Sequence, residues 1–288
     1  MITATGQKSS ALSTRAYDWA QRAGLLERSW FRGIFVTAYF LHKRFYEDPF
    51  WSLIHERPEL FRGGDVLDIG ANIGYTASLF ARVVSRGAKV YAFEPDRRAF
   101  QMLLEVVRRK NLGAAIEAIH SAVGAEVGSV EFWHNQSHSA DHKVVTLAFK
   151  ASGPAPGCIE SIPLTSVDAF VGLRQLQRIA FIKVDVQGYE LAVCQGSEET
   201  LQRFPDATLC VEYSPESLRD LGFEPRELLH FLRSRGYHIY LLTPGKLALA
   251  HNDAEIESFT ASAGYVDLLC SRKLLPGFGL PKVSQLPR

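Results

Sequence analysis

The sequence lacks the features that mark secreted, membrane-spanning and nucleic-acid-binding proteins. Its four cysteines are far apart and form no C-x-x-C pair, so we expect all of them to be reduced and structural. The first ten residues, MITATGQKSS, lack the apolar core of a secretory signal. The longest charge-free stretch near the N-terminus, Gly33–Leu41, is shorter than the roughly 20 apolar residues that cross a bilayer. These absences predict a cytoplasmic location.

The charge balance is nearly even. A formal net charge of +1 gives no electrostatic reason to expect nucleic acid as a partner. With 288 residues, of which 47% are hydrophobic, the chain can bury a large core. The composition therefore predicts one large globular domain, alone or with an appendage.

Three zones follow one another along the chain. Residues 1–50 are rich in aromatic side chains and are predicted to form a helical extension. Because its helical pattern is apolar nearly all round, we expect this extension to be packed on the main domain and to help wall a binding pocket; the alternative is a helix lying on a membrane surface. Residues 51–272 form the main domain, and residues 273–288, with three prolines, are predicted to be a loose tail.

The main domain alternates short apolar runs with amphipathic stretches. This pattern predicts an α/β fold with a seven-stranded, mostly parallel sheet and helices on both faces. The stretch from Thr243 and the segment 134–160, which contains histidines, glycines and prolines, are expected to be irregular. The predicted strands are Asp65–Ile69, Lys89–Phe93, Ala115–His120, Ile179–Asp185, Thr208–Tyr213, Tyr237–Leu242 and Tyr265–Cys270.

A glycine-containing loop follows the first predicted strand. In Asp68-Ile69-Gly70-Ala71-Asn72-Ile73-Gly74 the glycines allow a positive φ angle and a close approach of the backbone to a ligand. In open α/β sheets, ligands bind outside the carboxyl ends of the strands, next to the first strand. The loop therefore predicts a bound small molecule.

Two acidic residues restrict the identity of that molecule. Asp68 argues against a nearby phosphate and suits a cationic ligand, such as the amino group and sulfonium of S-adenosylmethionine. Glu94 ends the second predicted strand, where a carboxylate can accept both hydrogen bonds of a ribose diol. A dinucleotide-binding loop would show G-x-G-x-x-G, whereas this one reads D-x-G-x-N-x-G. An NAD-dependent oxidoreductase is therefore disfavoured but remains an alternative.

Several motifs together resemble the FkbM family of methyltransferases. They are VLDIGANIGYTA, FEPD, the run from Ser121 to Gly124, and above all Ile182-Lys183-Val184-Asp185-Val186-Gln187-Gly188-Tyr189-Glu190. The resemblance implies a class I, Rossmann-like methyltransferase that uses S-adenosylmethionine. It also implies transfer to a hydroxyl of a sugar, glycolipid or polyketide-type small molecule. The implied cofactor contacts are Asp68, Gly70, Asn72, Gly74, Tyr75, Thr76, Glu94, Pro95, Ser121 and Ala122.

The acceptor is expected at the end of the fourth predicted strand. A hydroxyl is a weak nucleophile, so a base that removes its proton would help. The first candidates for this base are Asp185, Glu190 and Glu212, and the second are His134, His138 and His142. Lys183 lies inside an apolar run, and a buried ammonium needs a partner such as Asp185 or Asp68. That pair could be structural rather than catalytic. A divalent metal ion held by acids and a histidine is not favoured.

Another class of function stays open. A degenerate methyltransferase-fold domain could serve as a binding module, although Asp68, Gly70, Gly74 and Glu94 argue against it. The sequence names neither the acceptor nor the oligomeric state.

Overall fold

A computed structural model describes residues 36–43, 48–134, 142–153 and 158–279. The main feature is an eight-stranded sheet with the strand order β11-β10-β12-β9-β8-β1-β2-β3. The strands of this sheet are β1 (Asp65–Ile69), β2 (Val90–Phe93), β3 (Ile116–Ile119), β8 (Ile179–Val184), β9 (Thr208–Tyr213), β10 (His238–Thr243), β11 (Lys246–Ala250) and β12 (Val266–Ser271).

The sheet is mixed, which corrects the prediction of seven mostly parallel strands. The β3-β2-β1-β8-β9 part is parallel, whereas β12 runs antiparallel to both β9 and β10. The eighth strand, β11, pairs antiparallel with β10 in the stretch that was expected to be irregular. The two strands are joined at Pro244-Gly245, where Gly245 has a φ of +70°. A Pro-Gly pair is typical of a tight turn as well as of a loop, and here it makes a hairpin.

Helices cover both faces of this sheet, as predicted. Several begin with a side chain that caps them: Asp96, Ser166 and Asn252 each accept a hydrogen bond from the backbone N–H three residues on. The helices are α1 (Pro49–Glu56), α2 (Tyr75–Phe80), α3 (Arg97–Arg109), α4 (Leu147–Ala151), α5 (Val167–Arg174), α6 (Glu190–Gln195), α7 (Glu198–Arg203), α8 (Pro215–Asp220), α9 (Pro225–Ser234) and α10 (Asp253–Ala263), with a 3₁₀ turn at Pro58–Phe61.

The alternation of side chains along β8 divides the interior into two cores. Ile182 and Val184 face a core formed with α5, α6, α7 and α9. Phe181 faces the other core, in which its ring stacks on Phe61 at a centroid distance of 4.4 Å. Lys183 has the same parity as Phe181, so its ammonium group points into the apolar face that carries α1 and α2.

A second sheet, with the order β4-β7-β5-β6, adjoins the segment 134–160 that was expected to be least regular; that segment contributes β6 and the neighbouring ends of β5 and β7. Two of its strands pair antiparallel over their length, from Gly128 opposite Leu164 to His134 opposite Cys158. Residues 135–141 and 154–157 of that segment lie outside the described residues. The strands of this sheet are β4 (Ala122–Val123), β5 (Gly128–His134), β6 (Lys143–Val144) and β7 (Cys158–Thr165).

The described ends of the chain lie against the main domain. Residues 36–43 are helical, and the Phe40 ring meets the Tyr75 ring edge-on at 5.1 Å. At the other end, Phe278 exchanges two backbone hydrogen bonds with Leu247, and the backbone N–H of Leu275 donates to the Tyr240 hydroxyl. Residues 273–279 of the predicted loose tail are therefore bonded to the domain, and residues 280–288 lie outside the described residues. No helix among the described residues is both long and apolar enough to cross a membrane.

Candidate active site

A cavity of about 240 Å³ opens at the carboxyl ends of β1, β2, β8 and β9. It lies where an open α/β sheet binds its ligands. Of the predicted cofactor contacts, acids and lysine, leaving the histidines aside, three do not line it: Asp68, Gly74 and Glu190. Those that do are Gly70, Asn72, Tyr75, Thr76, Glu94, Pro95, Ser121, Ala122, Lys183, Asp185 and Glu212.

The loop after β1 forms one wall. Gly70 has a φ of +79°, and a Cβ atom built on it would lie 1.8 Å from the carbonyl oxygen of Asp185. The N–H groups of Gly70 and Ala71 both donate to the carbonyl of Phe93, which fixes the loop to the end of β2. Asn72 also has a positive φ, of +49°. Only glycine fits at position 70, because any side chain there would collide with the backbone that follows β8.

Glu94 places a buried carboxylate on the same side of the cavity. Its Oε2 accepts a hydrogen bond of 2.7 Å from the backbone N–H of Asn72, and its Oε1 accepts one of 2.8 Å from that of Asp96. Burial raises the pKa of Glu94 to about 8, although both backbone donors act in the opposite direction. The side chain is therefore oriented by the backbone before any ligand arrives.

Asp68 lies behind the cavity wall and is fully buried. The hydroxyl of Thr76 donates to its Oδ2 at 2.7 Å, and Nζ of Lys183 lies 3.4 Å from its Oδ1. The structure thus places Asp68 behind the lining and bonded to Thr76; its direct contact with a ligand stays a prediction from the sequence. Asp68 acts on the cavity through Lys183, which is its ion-pair partner and lines the cavity.

Lys183 links the loop after β1 to the end of β8. Its Nζ donates to the carbonyl of Gly70 at 3.1 Å and lies 3.3 Å from Oδ2 of Asp185. Burial disfavours the charged ammonium, but Asp185 and Asp68 outweigh it and raise the pKa of Lys183. Burial would also raise the pKa of Asp185, yet Lys183 and Lys43 hold it below its usual range. Both partners of the pair are therefore charged.

Three acids lie on adjacent strands at the far side of the cavity. Asp185 follows β8, Glu212 lies on β9, and Asp267 pairs with Glu212 in the register of β12. The Gln187 amide spans the first two, with Nε2 3.1 Å from Asp185 Oδ1 and 3.3 Å from Glu212 Oε2. Burial, followed by the charge of Asp185, raises the pKa of Glu212 well above its usual range and that of Asp267 to about 7.

Glu190, the third acid predicted as a candidate base, lies outside the cavity lining. It is buried, and Oε1 accepts hydrogen bonds from the backbone N–H groups of Val186, at 3.1 Å, and Gly188, at 3.0 Å. Gly188 has a φ of +103°, and a Cβ there would lie 2.2 Å from the carbonyl oxygen of Ser217. Glu190 thus shapes the turn that carries Asp185 and Gln187.

The N-terminal zone forms part of the cavity wall, as predicted, but the sequence did not single out the individual residues. Tyr39 and Lys43, from the helix at 36–43, and Asp48 all line it. Asp48 caps α1 through the backbone N–H groups of Phe50 and Trp51 and accepts a 2.6 Å hydrogen bond from the Tyr75 hydroxyl. An Asp-Pro pair before an apolar run is a helix-start signal that could have located this cap.

Asp267 was missed as well, although a signal was present. It is an acid inside the apolar run from Val266 to Cys270, just as Lys183 is a base inside one. Of the predicted histidines, His134 and His142 come together beside Asp96, and His138 lies outside the described residues. His142 and Phe132 line the cavity from the second sheet.

Known proteins resemble both the sequence and the fold. The 2-O-methyltransferase NoeI of Sinorhizobium fredii is 28% identical over 181 residues, which cover 59% of this chain and 71% of that protein. The crystal structure of methyltransferase FkbM from Methylobacillus flagellatus is 20% identical, with a TM-score of 0.45; the overlap covers 81% of this chain but 50% of that one, so this chain spans about half its length. A methyltransferase of Aquifex aeolicus described as dependent on S-adenosylmethionine is 14% identical, with a TM-score of 0.41 and coverage of 78% and 88%.

The family assignment rests on a match that is longer than any single motif. Residues 68–239, more than half of the chain, match the methyltransferase FkbM domain. This range begins at Asp68 and includes the loop after β1, Glu94, and the turn from Asp185 to Glu190. The chain belongs to the FkbM family of methyltransferases.

Proposed function

We propose that this chain is an S-adenosylmethionine-dependent O-methyltransferase that acts on a hydroxyl of a sugar, a glycolipid or another glycosylated small molecule. One observation carries the proposal. A single cavity has the buried Glu94 carboxylate on one side and the acids Asp185, Glu212 and Asp267 on the other. The 2-O-methyltransferase activity named for NoeI supports oxygen as the acceptor atom.

The donor set of the cavity fits S-adenosylmethionine. Each oxygen of Glu94 accepts one backbone hydrogen bond, and a carboxylate oxygen has a second lone pair that can accept one from a ribose hydroxyl. The loop from Gly70 to Ile73 brings backbone to the cavity, and the nearby carboxylates suit a ligand with positively charged groups. When bound, S-adenosylmethionine supplies a methyl group activated by its sulfonium.

The acids on β8, β9 and β12 can orient the acceptor hydroxyl and take its proton. Asp185 is kept ionised by Lys183, so Oδ1 and Oδ2 can accept a hydrogen bond from that hydroxyl. Asp267, with a pKa of about 7, is matched to proton transfer near neutral pH. We assign the role of proton acceptor to these three carboxylates. Asp185 is the ionised one, and we assign to it the hydrogen bond from the acceptor hydroxyl.

Transfer of a labelled methyl group tests the proposal. The protein is incubated with methyl-labelled S-adenosylmethionine and a panel of glycosides, glycolipids and macrolides, and the methylated atom is identified by mass spectrometry and NMR. We expect label on an acceptor oxygen, with Asp185→Asn strongly impaired. Asp206→Asn is the matched control, because Asp206 is exposed and pairs with Lys273 at the surface. Label on nitrogen or carbon would contradict the assignment to oxygen.

A further inference from the structure

A second cluster of metal-binding side chains lies at the edge of the cavity, apart from the three acids. Oδ1 of Asp96 caps α3 by accepting from the N–H of Ala99 at 2.7 Å, and Oδ2 is turned towards two histidines. Oδ2 lies 2.9 Å from Nδ1 of His134 and 3.7 Å from Nε2 of His142. The three ligand atoms all lie within 4.8 Å of one another.

These separations fit ligands that share one ion. Zinc binds nitrogen and oxygen ligands at 2.0–2.2 Å, so two ligands of one tetrahedral ion are about 3.4 Å apart. The two separations measured from Asp96 Oδ2 lie on either side of that value. Asp96 is buried, and His134 and His142 have side-chain exposures of 18% and 15%, so little water competes for the ligand atoms.

The outer ring nitrogen of His134 supplies a second observation. Nε2 is buried, and no described residue gives it a well-aligned hydrogen bond, yet it lies 3.0 Å from Oε1 of Glu160. A histidine that binds a metal through one nitrogen commonly donates its other N–H to a carboxylate, which fixes the ring and makes it a stronger ligand. A small rotation of the ring would align this contact.

We propose that Asp96, His134 and His142 form a binding site for a divalent transition-metal ion of the zinc type, with Glu160 positioning His134. Imidazole nitrogens favour zinc and its neighbours over magnesium, which prefers oxygen ligands. Asp96 follows β2 of the large sheet, whereas His134 ends β5 and His142 precedes β6 of the second sheet. The ion would therefore tie the two sheets together beside Glu94, at a wall of the cavity to which His142 contributes.

Zinc binding by the full-length chain tests this site without reference to methyl transfer. The protein, free of any affinity tag and treated with EDTA, is titrated with Zn²⁺ against a chromophoric chelator, and bound metal is counted after gel filtration. We expect one zinc per chain. Asp96→Asn, which keeps an oxygen to cap α3, and His142→Ala should each weaken binding at least tenfold, and Glu160→Gln about tenfold.

The matched control is His120→Ala. His120 is also half-buried and close to the same loop, since its Nε2 lies 3.0 Å from the carbonyl oxygen of Pro95, but it is not part of the cluster. This variant should bind zinc as the wild type does. Co²⁺ added to the wild type should give a visible absorption band that Asp96→Asn abolishes. Absence of stoichiometric zinc from the wild type, or unchanged zinc affinity in correctly folded Asp96→Asn and Glu160→Gln proteins, would overturn the proposal.

Discussion

Nζ of Lys183, on the central strand β8, lies 3.3 Å from Oδ2 of Asp185, which directly follows that strand. The same nitrogen is 3.4 Å from Asp68, so one buried ammonium serves two carboxylates on adjacent strands. Asp68 is fully buried, whereas Asp185 lines the cavity. The two acids therefore differ in role: Asp68 holds the lysine in place, and Asp185 is presented to the ligand.

Substitutions in this triad separate stability from chemistry. Lys183→Met leaves the buried Asp68 and the half-buried Asp185 without this countercharge and should lower the free energy of unfolding by about 3–5 kcal/mol. Asp185→Asn leaves Lys183 paired with Asp68, so the loss should be smaller, while the single-turnover rate of methyl transfer falls by about 10²-fold or more. Thermal melting and single-turnover kinetics on the folded fraction measure the two effects. A folded Asp185→Asn enzyme with near-normal turnover would remove Asp185 from the mechanism.

Glu190→Gln should lower stability and leave turnover nearly unchanged, which is the reverse of the result expected for Asp185→Asn. Both carboxylate oxygens accept a hydrogen bond from the backbone N–H of Gly188, and the amide nitrogen of a glutamine cannot accept one; a buried donor left without its partner costs about 1–3 kcal/mol. We expect a loss of stability on that scale with little change in turnover per folded molecule. Denaturant unfolding and the rate assay check this, with the exposed Glu199→Gln as the control. A Glu190→Gln protein of normal stability but no turnover would restore Glu190 as a candidate base.

Gly70, in the cavity loop, and Gly87, between α2 and β2, have similar φ angles and make a matched pair. Gly70 has a φ of +79° and its Cβ would meet the Asp185 carbonyl oxygen, whereas Gly87, at +89°, has open space around it. Gly87→Ala should cost about 1–2 kcal/mol, the strain of a left-handed alanine. Gly70→Ala should cost clearly more, and it should also abolish binding of S-adenosylhomocysteine. Equal losses of stability in the two variants would show that the close approach to β8 is unimportant.

The buried acids predict an unusual pH dependence for the ligand-free protein. The folded-state pKa values of Glu94, at about 8, and of Glu190 and Asp267, at about 7, lie above their ordinary values. The folded state therefore binds more protons in this range, and the free energy of unfolding should fall as the pH rises from about 5 to 8. Each group contributes up to about 1.4 kcal/mol per pH unit.

Melting temperatures between pH 5 and pH 8 test this slope. Asp267→Asn removes one of the three groups, so its melting temperature should depend less on pH than that of the wild type. Asp206→Asn, at the surface, should keep the wild-type slope. The acids with lowered pKa values, Asp96 and Asp185, act in the opposite direction and only below about pH 4. Stability that rises from pH 5 to pH 8 would contradict the assignment of the raised pKa values.

The sequence predicted the parallel part of the sheet well because each buried strand is a short, continuous run of apolar residues. Every predicted strand overlaps an observed one, and the prediction that Lys183 needs a carboxylate partner is met by Asp68 and Asp185. The hairpin at Pro244-Gly245 was missed because the same residues occur in loops and in tight turns. The second strand of this hairpin, β11, lies at the edge of the sheet. The alternation of strands and helices along the chain does not predict such a strand.

The direction of individual side chains was harder to predict. Asp68 and Glu190 are acids in the right motifs, but the first is bonded to Thr76 and Lys183 and the second to backbone N–H groups. Asp267 lies far along the chain and meets Glu212 only through the antiparallel pairing of β12 with β9. Such contacts depend on strand order and register, which one sequence specifies only through the complete fold.

The most direct test of the account is calorimetric titration of the wild type and of Glu94→Ala with S-adenosylmethionine, S-adenosylhomocysteine and NAD. We predict micromolar binding of the first two ligands to the wild type and no binding of NAD. At a pH above 8, where Glu94 is ionised, Glu94→Ala should lose about 1.5–3 kcal/mol of binding free energy, the contribution of hydrogen bonds to a charged group. Glu117→Ala, which removes an acid that pairs with Lys89 away from the cavity, should bind as the wild type does. Binding of NAD in preference to S-adenosylmethionine would contradict the account.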